Sequence, residues 1–309
     1  MRQHVRPEEK DQVRFVVQTY FNRKLGVTYN IIEPGFQRNN TSAYQLSILV
    51  GMDSLVYSVY EPSSNKMLAL KSCPFPASGN GHSDRGKEIG EVLRKEDLLG
   101  PRYQKVKIAL DSSSAALVPQ RLFNEDEKAT YLEELLDSGK EADIRSDEIA
   151  SLKIKAVYQV GKPEMAALKK HFPKGSIFNS STAFLVGCKQ AVERIEGKVA
   201  FAGFSKTHFQ LAVFNKKELQ FFNTFSFQSP NDVMYFVLLA FEQHGLDPNS
   251  DPLLLSGQIV EKSDIYKMLY RYIADISFCP APAHVQFGKN AASLNPGFFA
   301  NLHYLLLCD

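Results

Sequence analysis

Residues 46–70, LSILVGMDSLVYSVYEPSSNKMLAL, and residues 199–223, VAFAGFSKTHFQLAVFNKKELQFFN, read as one module written twice. Each opens with an apolar strand that ends at a glycine, Gly51 or Gly203, and passes through a short polar turn into an alternating strand. A second polar turn then leads to a third strand. A unit repeated at this distance in the chain implies a duplicated domain.

The residues after each module extend the parallel. Beyond the first, the pattern predicts a helix over 87–98, a strand over 106–110, and a helix from Asn124 to about 136. Asn124 with Glu127 has the form of a capping box, Gly139 is the expected stop, and the acidic run Glu125-Asp126-Glu127 suits the helix dipole better than a metal or catalytic role. A charged loop over 138–148, a strand over 154–160 and a helix opened by Pro163 come next; Ser180 then caps a helix reaching Ile195, closed by Gly197. Beyond the second module, Ser229-Pro230-Asn231-Asp232 is a compact helix start. Its helix carries VMYFVLLAF to Gly245 and, apolar on nearly all sides, is expected to be buried between layers. A strand over 252–255, a helix over 263–273 and short strands around Ile276 and Val285 come after it. Asn295-Pro296 starts a last helix with Phe298, Leu302, Leu305 and Leu306 as its core stripe. Three strands, helix, strand, helix, twice over, is an α/β plan of mixed sheets flanked by helices.

At 309 residues the chain exceeds one typical domain. The expected division is an extension over 1–40, a first domain over 41–197 and a second over 198–309 that includes the C-terminal helix. In the extension Pro7 can open a helix through Phe21, with Val13, Val16, Val17 and Tyr20 on its apolar side. Within it residues 1–38, having no counterpart before the second module, are expected to be dispensable for folding.

Composition excludes several classes. The chain is 44% hydrophobic and 23% charged with a net charge of +2, so no strong field points to nucleic acid or an anionic membrane. Its longest apolar run, residues 233–241, falls well short of a membrane-crossing helix, and residues 1–12 do not resemble a signal peptide. Cys73, Cys188, Cys279 and Cys308 are scattered and form no C-x-x-C pair, which suits reduced core thiols and a cytoplasmic address.

The opening hairpin AYQLSILVGMDSLVYSV (43–59), the segment Ala116-Leu117-Val118-Pro119-Gln120-Arg121-Leu122-Phe123, and Phe178-Asn179-Ser180-Ser181-Thr182-Ala183-Phe184-Leu185 carry a closer likeness. Over about 42–309 the chain resembles the actin-like ATPase superfamily, two ribonuclease H-like domains facing each other across a cleft. Within it the chain looks most like an uncharacterised family found mainly in Bacteroidota. More distantly it is similar to actin-like scaffolds of pilus and cell-division assemblies, which the resemblance describes as binders of short peptides from membrane partners.

The resemblance implies where ATP and magnesium would sit. Working members carry an Asp-x-Gly type turn in each repeat, where glycine lets backbone approach phosphate and aspartate orients magnesium or water. Here the first turn reads Gly51-Met52-Asp53-Ser54-Leu55, with its aspartate after the glycine. The second, Gly203-Phe204-Ser205-Lys206-Thr207-His208, has no acid and places a bulky Phe204 where bare backbone is wanted. At the adenosine end Ser256-Gly257-Gln258 keeps one glycine of the usual pair. The candidate cleft residues are therefore Gly51, Asp53, Ser54, Gly203, Ser205, Lys206, Ser256 and Gly257, a degenerate set for nucleotide.

Other chemistries find no constellation. A two-metal nuclease needs several converging carboxylates; Asp53 reads as a turn residue and Asp111, followed by Ser112-Ser113-Ser114, as a strand exit. The histidines show no metal-ligand spacing, and His208, opening an alternating strand, is expected to point to solvent. Cys188 reads as a core thiol, and Gly79-Asn80-Gly81 lacks the Gly-Lys-Ser/Thr ending of a phosphate loop. Two hypotheses remain: a catalytically silent scaffold or adaptor holding a protein partner in its cleft or at a sheet edge, and an ATP-dependent switch or ATPase that uses Lys206 and Ser54 in place of the missing groups.

Overall fold

The computed structural model describes residues 29–76, 84–111, 115–133 and 142–309. The expected helix at 7–21, the Gly79-Asn80-Gly81 loop, Ser112-Ser113-Ser114 and the stop at Gly139 lie outside the described residues.

In chain order the strands of the first half are β1 (Asn30–Ile32), β2 (Gln45–Val50), β3 (Ser54–Glu61), β4 (Lys66–Pro74), β5 (Lys105–Leu110), β6 (Ala115–Pro119), β7 (Ala142–Ile149), β8 (Ile154–Gly161) and β9 (Ser176–Asn179). Helices α1 (Arg85–Lys95) and α2 (Lys162–His171) lie among them, and α3 (Ser180–Val192) leads into the second half. There β10 (Lys198–Phe204), β11 (His208–Asn215), β12 (Glu218–Ser226), α4 (Pro230–Gln243), β13 (Leu253–Gly257), α5 (Asp264–Leu269), β14 (Ile276–Phe278), β15 (Gln286–Phe287) and α6 (Ala300–Tyr304) complete the order.

The duplication is visible in the sheets. One sheet runs β4-β3-β2-β5-β9 at its centre and the other β12-β11-β10-β13-β14. In both, the first three strands are antiparallel neighbours and the last two join in parallel, Leu46 opposite Val106 in one and Ala200 opposite Leu253 in the other. This is the ribonuclease H-like arrangement twice, an actin-like ATPase fold. Parallel strands need a crossover, which α1 supplies in one half and α4 in the other. Ile89, Val92 and Leu93 of α1 close the first core over Ile48, Val59 and Ile108; Val233, Val237 and Phe241 of α4 close the second over Leu211, Val213 and Leu253.

Between the sheets lies α3. Phe184, Leu185, Cys188 and Val192 pack on Phe201, Ala212 and Phe214 of the second sheet and on Ile149 and Ala156. Its cap is Asn179, whose side chain accepts the Ser181 N–H, one residue earlier than expected. Along α3 also runs α6; Gly187 is required there because a Cβ would stand 2.1 Å from the Tyr304 ring. Leu302, with Phe298 and Leu306, packs onto Tyr60, Met67 and Leu70 of the first sheet, as the stripe predicts.

Several expectations are corrected. Residues 120–132 form short 3-10 turns instead of a helix. Asn124 still caps, but only Leu132 is buried over 120–132, and Tyr131 folds back so that Asn124 N–H donates to its hydroxyl; one anchoring side chain does not hold an amphipathic helix down. The charged loop of 138–148 is a strand from Ala142, because pairing with β8 buries Asp147 and Ile149 in alternation; with β6 it makes a separate sheet, β6-β8-β7. The α4 helix is not buried all round: Tyr235 is 58% exposed and only one stripe faces the core. Nor is the whole of 1–38 peripheral. Residues 30–32 pair with β4, and the buried Glu33 carboxylate accepts the N–H groups of Asn290 and Ala291.

Among the described residues no helix is long and apolar enough to cross a membrane.

Candidate functional site

Where the first and fourth strands of each repeat end, the two halves meet. The β2–β3 turn closes on itself, Gly51 N–H donating to Ser54 O at 2.9 Å, and the Arg85 guanidinium at the start of α1 donates to the Gly51 and Met52 carbonyls. Arg85 is held in turn over the Phe75 ring and beside Glu164. The β10–β11 turn closes in the same way, Ser205 N–H to His208 O at 2.9 Å. Both turns thus commit a backbone N–H to their own closure.

Side chains then join the turns to each other. Lys206 Nζ is 2.5 Å from Asp53 Oδ2, and Ser54 Oγ donates to Asp53 Oδ1 at 3.2 Å. Burial raises the Asp53 pKa, but the hydrogen bond and charge of Lys206, with Ser54, outweigh it and leave the group below its ordinary value. Thr207 Oγ1 also reaches Met52 Sδ at 3.1 Å.

Behind this exposed bridge lies a buried one. Asp111, placed at the end of β5 by its N–H bond to Val50 O, is 7% exposed. Its carboxylate accepts from Ser180 Oγ at 2.8 Å, from Ser205 Oγ, and from His208 Nε2 at 3.2 Å. Burial by itself would raise the Asp111 pKa, yet His208, Ser205 and Ser180 hold it below the usual carboxylate value. For His208 burial acts downward and the Asp111 hydrogen bond and charge act upward; the net direction is up. Each group of the pair thus favours the charged form of the other. Gln210 Nε2 extends the network to Ser180 Oγ (3.1 Å) and Ser181 Oγ (3.0 Å). A second buried carboxylate, Asp147, accepts from Asn179 N–H (2.7 Å), Thr182 Oγ1 (2.8 Å) and Tyr158 OH (2.9 Å); there burial dominates and its pKa is raised. Both acids sit at the N-terminal end of α3, where the helix dipole favours negative charge.

The glycines of the candidate set have internal reasons. A Cβ on Gly203 would stand 2.7 Å from the Phe184 ring of α3. Gly257 adopts φ +79°, a conformation side chains rarely take, and a Cβ there would meet Phe204 O at 2.1 Å. That carbonyl also accepts Gln258 N–H at 2.7 Å, and Ser256 is buried beside Gly203.

Of the eight residues singled out in the sequence, Gly51, Asp53, Ser54, Ser205 and Lys206 come together at the facing turns, while Gly203, Ser256 and Gly257 line the adjoining β10–β13 seam. Two further residues that sequence reasoning passes over belong to the site. Asp111 is a buried anion instead of a plain strand exit, and His208 faces inward instead of toward solvent, because a buried carboxylate awaits it from the other half. The available signal is topological, since in this strand order the ends of strands one and four converge. Among the described residues no group of three or more His, Cys, Asp or Glu side chains could hold a metal ion.

Residues 33–276 match the model of the family described as Protein of unknown function (DUF3822). Among solved structures, a Bacteroides thetaiotaomicron protein with an actin-like ATPase fold and unknown function superposes with a TM-score of 0.75 at 18% identity, covering 89% of this chain and 100% of its own. The PilM-PilN type IV pilus biogenesis complex matches at a TM-score of 0.55 and 12% identity, over 85% of this chain and 97% of that one. No curated protein matches.

Proposed function

The chain belongs to the DUF3822 family, and from that premise we propose that it is a non-catalytic actin-like scaffold or adaptor, holding a protein partner rather than turning over a nucleotide. The observation that carries this reading is the pair of interdomain bridges, Asp53–Lys206 at the surface and Asp111–His208–Ser205 beneath it. In both bridges the protein's own side chains occupy the space between the two turns and satisfy one another there, so a nucleotide would have to displace them. The pilus complex supports the reading by example, since that similar structure is a protein–protein assembly. The test is titration calorimetry with magnesium-ATP and with GTP. Binding no tighter than about millimolar, roughly −4 kcal/mol, and no turnover above background are expected; a micromolar isotherm overturns the reading.

One observation favours the rival, a nucleotide-binding switch. Lys206 and Asp53 are both more than half exposed, and an exposed ion pair contributes little, about 0–1 kcal/mol, so Lys206 could exchange Asp53 for a phosphate. A micromolar ATP isotherm lost in Lys206→Ala would select it.

A further inference from the structure

The net charge of +2 conceals a separation between the two ends of the molecule. The fourth strands, β5 and β13, run parallel to the first strands and finish where the two halves meet. The segments that lead into the fourth and fifth strands therefore lie at the far end of each sheet, away from the cleft. The duplication makes them equivalent. In the first half they join α1 to β5 and α2 to β9; in the second they join α4 to β13 and α5 to β14.

In the first half His171 Nε2 lies 3.0 Å from Leu99 O and holds the two segments together. Their surface is basic. Arg102, Lys105, Lys169, Lys170 and Lys174 are exposed, and none has an ion pair or side-chain hydrogen bond among the described residues. Residues 98–105 and 169–176 contain no acid. Of the neighbouring acids, Asp97 pairs with Arg38 and Glu91 with Lys95, while the Asp309 charge acts on the buried Lys107. Lys169 and Lys170 suit the C-terminal end of the α2 dipole, but Arg102, Lys105 and Lys174 lie outside any helix and have no such reason.

In the second half Ala274 N–H donates to Pro248 O at 2.9 Å and Leu253 N–H to Asp275 O at 2.8 Å, which sets the equivalent segments side by side. Here the surface is acidic and aromatic. Glu242, Asp247 and Asp275 are exposed and Asp251 is half-buried, none of them in an ion pair among the described residues. Asp247 and Asp251 also brace their own loop, by accepting the N–H groups of Asn249 and Asp247. Two cations stand beside the four acids, exposed Arg271 and Lys198, whose Nζ donates to the Gly245 carbonyl. Tyr270 and Tyr272 are 62% and 50% exposed, and Tyr270 is stacked on Tyr266 at 5.9 Å. Exposed tyrosine faces attract cations and anchor interfaces.

We propose that these two ends are the halves of one interface, the basic end of one copy seated on the acidic, aromatic end of the next, so that the chain self-associates head to tail. The chain itself identifies the occupant: equivalent segments of a duplicated fold carry opposite charge, and the end with the acids also presents the rings that a lysine or arginine covers. Because the two surfaces differ and point away from each other, the contact is heterologous and does not close at two copies. The inference does not depend on the reading of the cleft.

Sedimentation velocity of the full chain at low salt tests it. Species larger than a dimer are expected to grow with concentration and to recede as salt is raised. Arg102→Glu/Lys174→Glu alters the basic end and Tyr272→Ser/Asp275→Asn the acidic one, all at exposed positions, so both variants should keep the wild-type melting midpoint. Each should weaken association about tenfold or more. Mixed, the two variants supply one intact end each and should form a one-to-one complex that grows no further. A wild-type chain that stays monomeric up to about 100 µM, a variant that associates like wild type, or a mixture that gives no such complex overturns the proposal. So does a monomeric chain that sediments with vesicles of phosphatidylserine and phosphatidylcholine, a result that assigns the basic end to a lipid surface.

Discussion

His208 Nε2 lies 3.2 Å from Asp111 Oδ1, so the first side chain of β11 in the second repeat is bonded to the residue that follows β5 in the first. The two halves are thereby joined through a hydrogen-bonded acid–imidazole pair that lies beneath the two facing turns.

Breaking that pair from one side leaves a buried charge without its partner. Asp111→Ala and His208→Ala should each destabilise the protein by about 3 kcal/mol. A double-mutant cycle in urea should show coupling of more than about 1 kcal/mol; additive effects would mean that the contact is incidental.

The same pair sets a pH window. The His208 pKa is raised in the folded protein, so its contribution is complete below the unfolded value of about 6.5 and is lost as pH rises through the folded value. The Asp111 pKa is lowered, so its contribution is present above about 3.9 and is lost as pH falls through the folded value. Stability carried by the pair should therefore be greatest between about pH 4 and 6.5. Asp147, with its raised pKa, also loses stability with rising pH, which is why the difference from a variant is needed. Subtracting the melting profile of His208→Gln from that of wild type should leave a difference that declines as the pH rises beyond about 6.5. A flat difference would place the imidazole outside the titrating network.

At the surface the expectation is the opposite. Asp53 and Lys206 are exposed, so Lys206→Ala should cost less than about 1 kcal/mol and the effect should fade in high salt. A loss as large as that of Asp111→Ala would relocate the main link between the halves to the outer bridge.

Gly257 is required by geometry within this chain, since only glycine avoids the Phe204 carbonyl at φ +79°. Gly257→Ala should cost more than about 1 kcal/mol, measured by chemical denaturation, whether or not nucleotide is present. An alanine variant of wild-type stability would return this glycine to a ligand-facing role.

Glu33 ties the start of the described chain to the loop before α6. Glu33→Ala leaves the buried Ala291 N–H and the part-buried Asn290 N–H without their acceptor and should cost about 1–3 kcal/mol. A neutral outcome would restore the view that everything before residue 38 is peripheral.

The sequence by itself determined the duplicated plan, because strand alternation, glycine exits and the Ser229–Asp232 capping box are local signals that act over a few residues. It also located the two facing turns, since those turns are where the local pattern changes. The β6-β8-β7 sheet escaped it: a strand as polar as ADIRSDEI becomes one only through pairing with β8, a contact supplied by tertiary structure. Likewise Asp111 carries no mark in the chain that distinguishes a strand exit from a buried anion. What decided its role was the arrival of His208, Ser205 and Ser180 from residues 69 to 97 positions away, for a buried charge takes its character from the partners that replace its water.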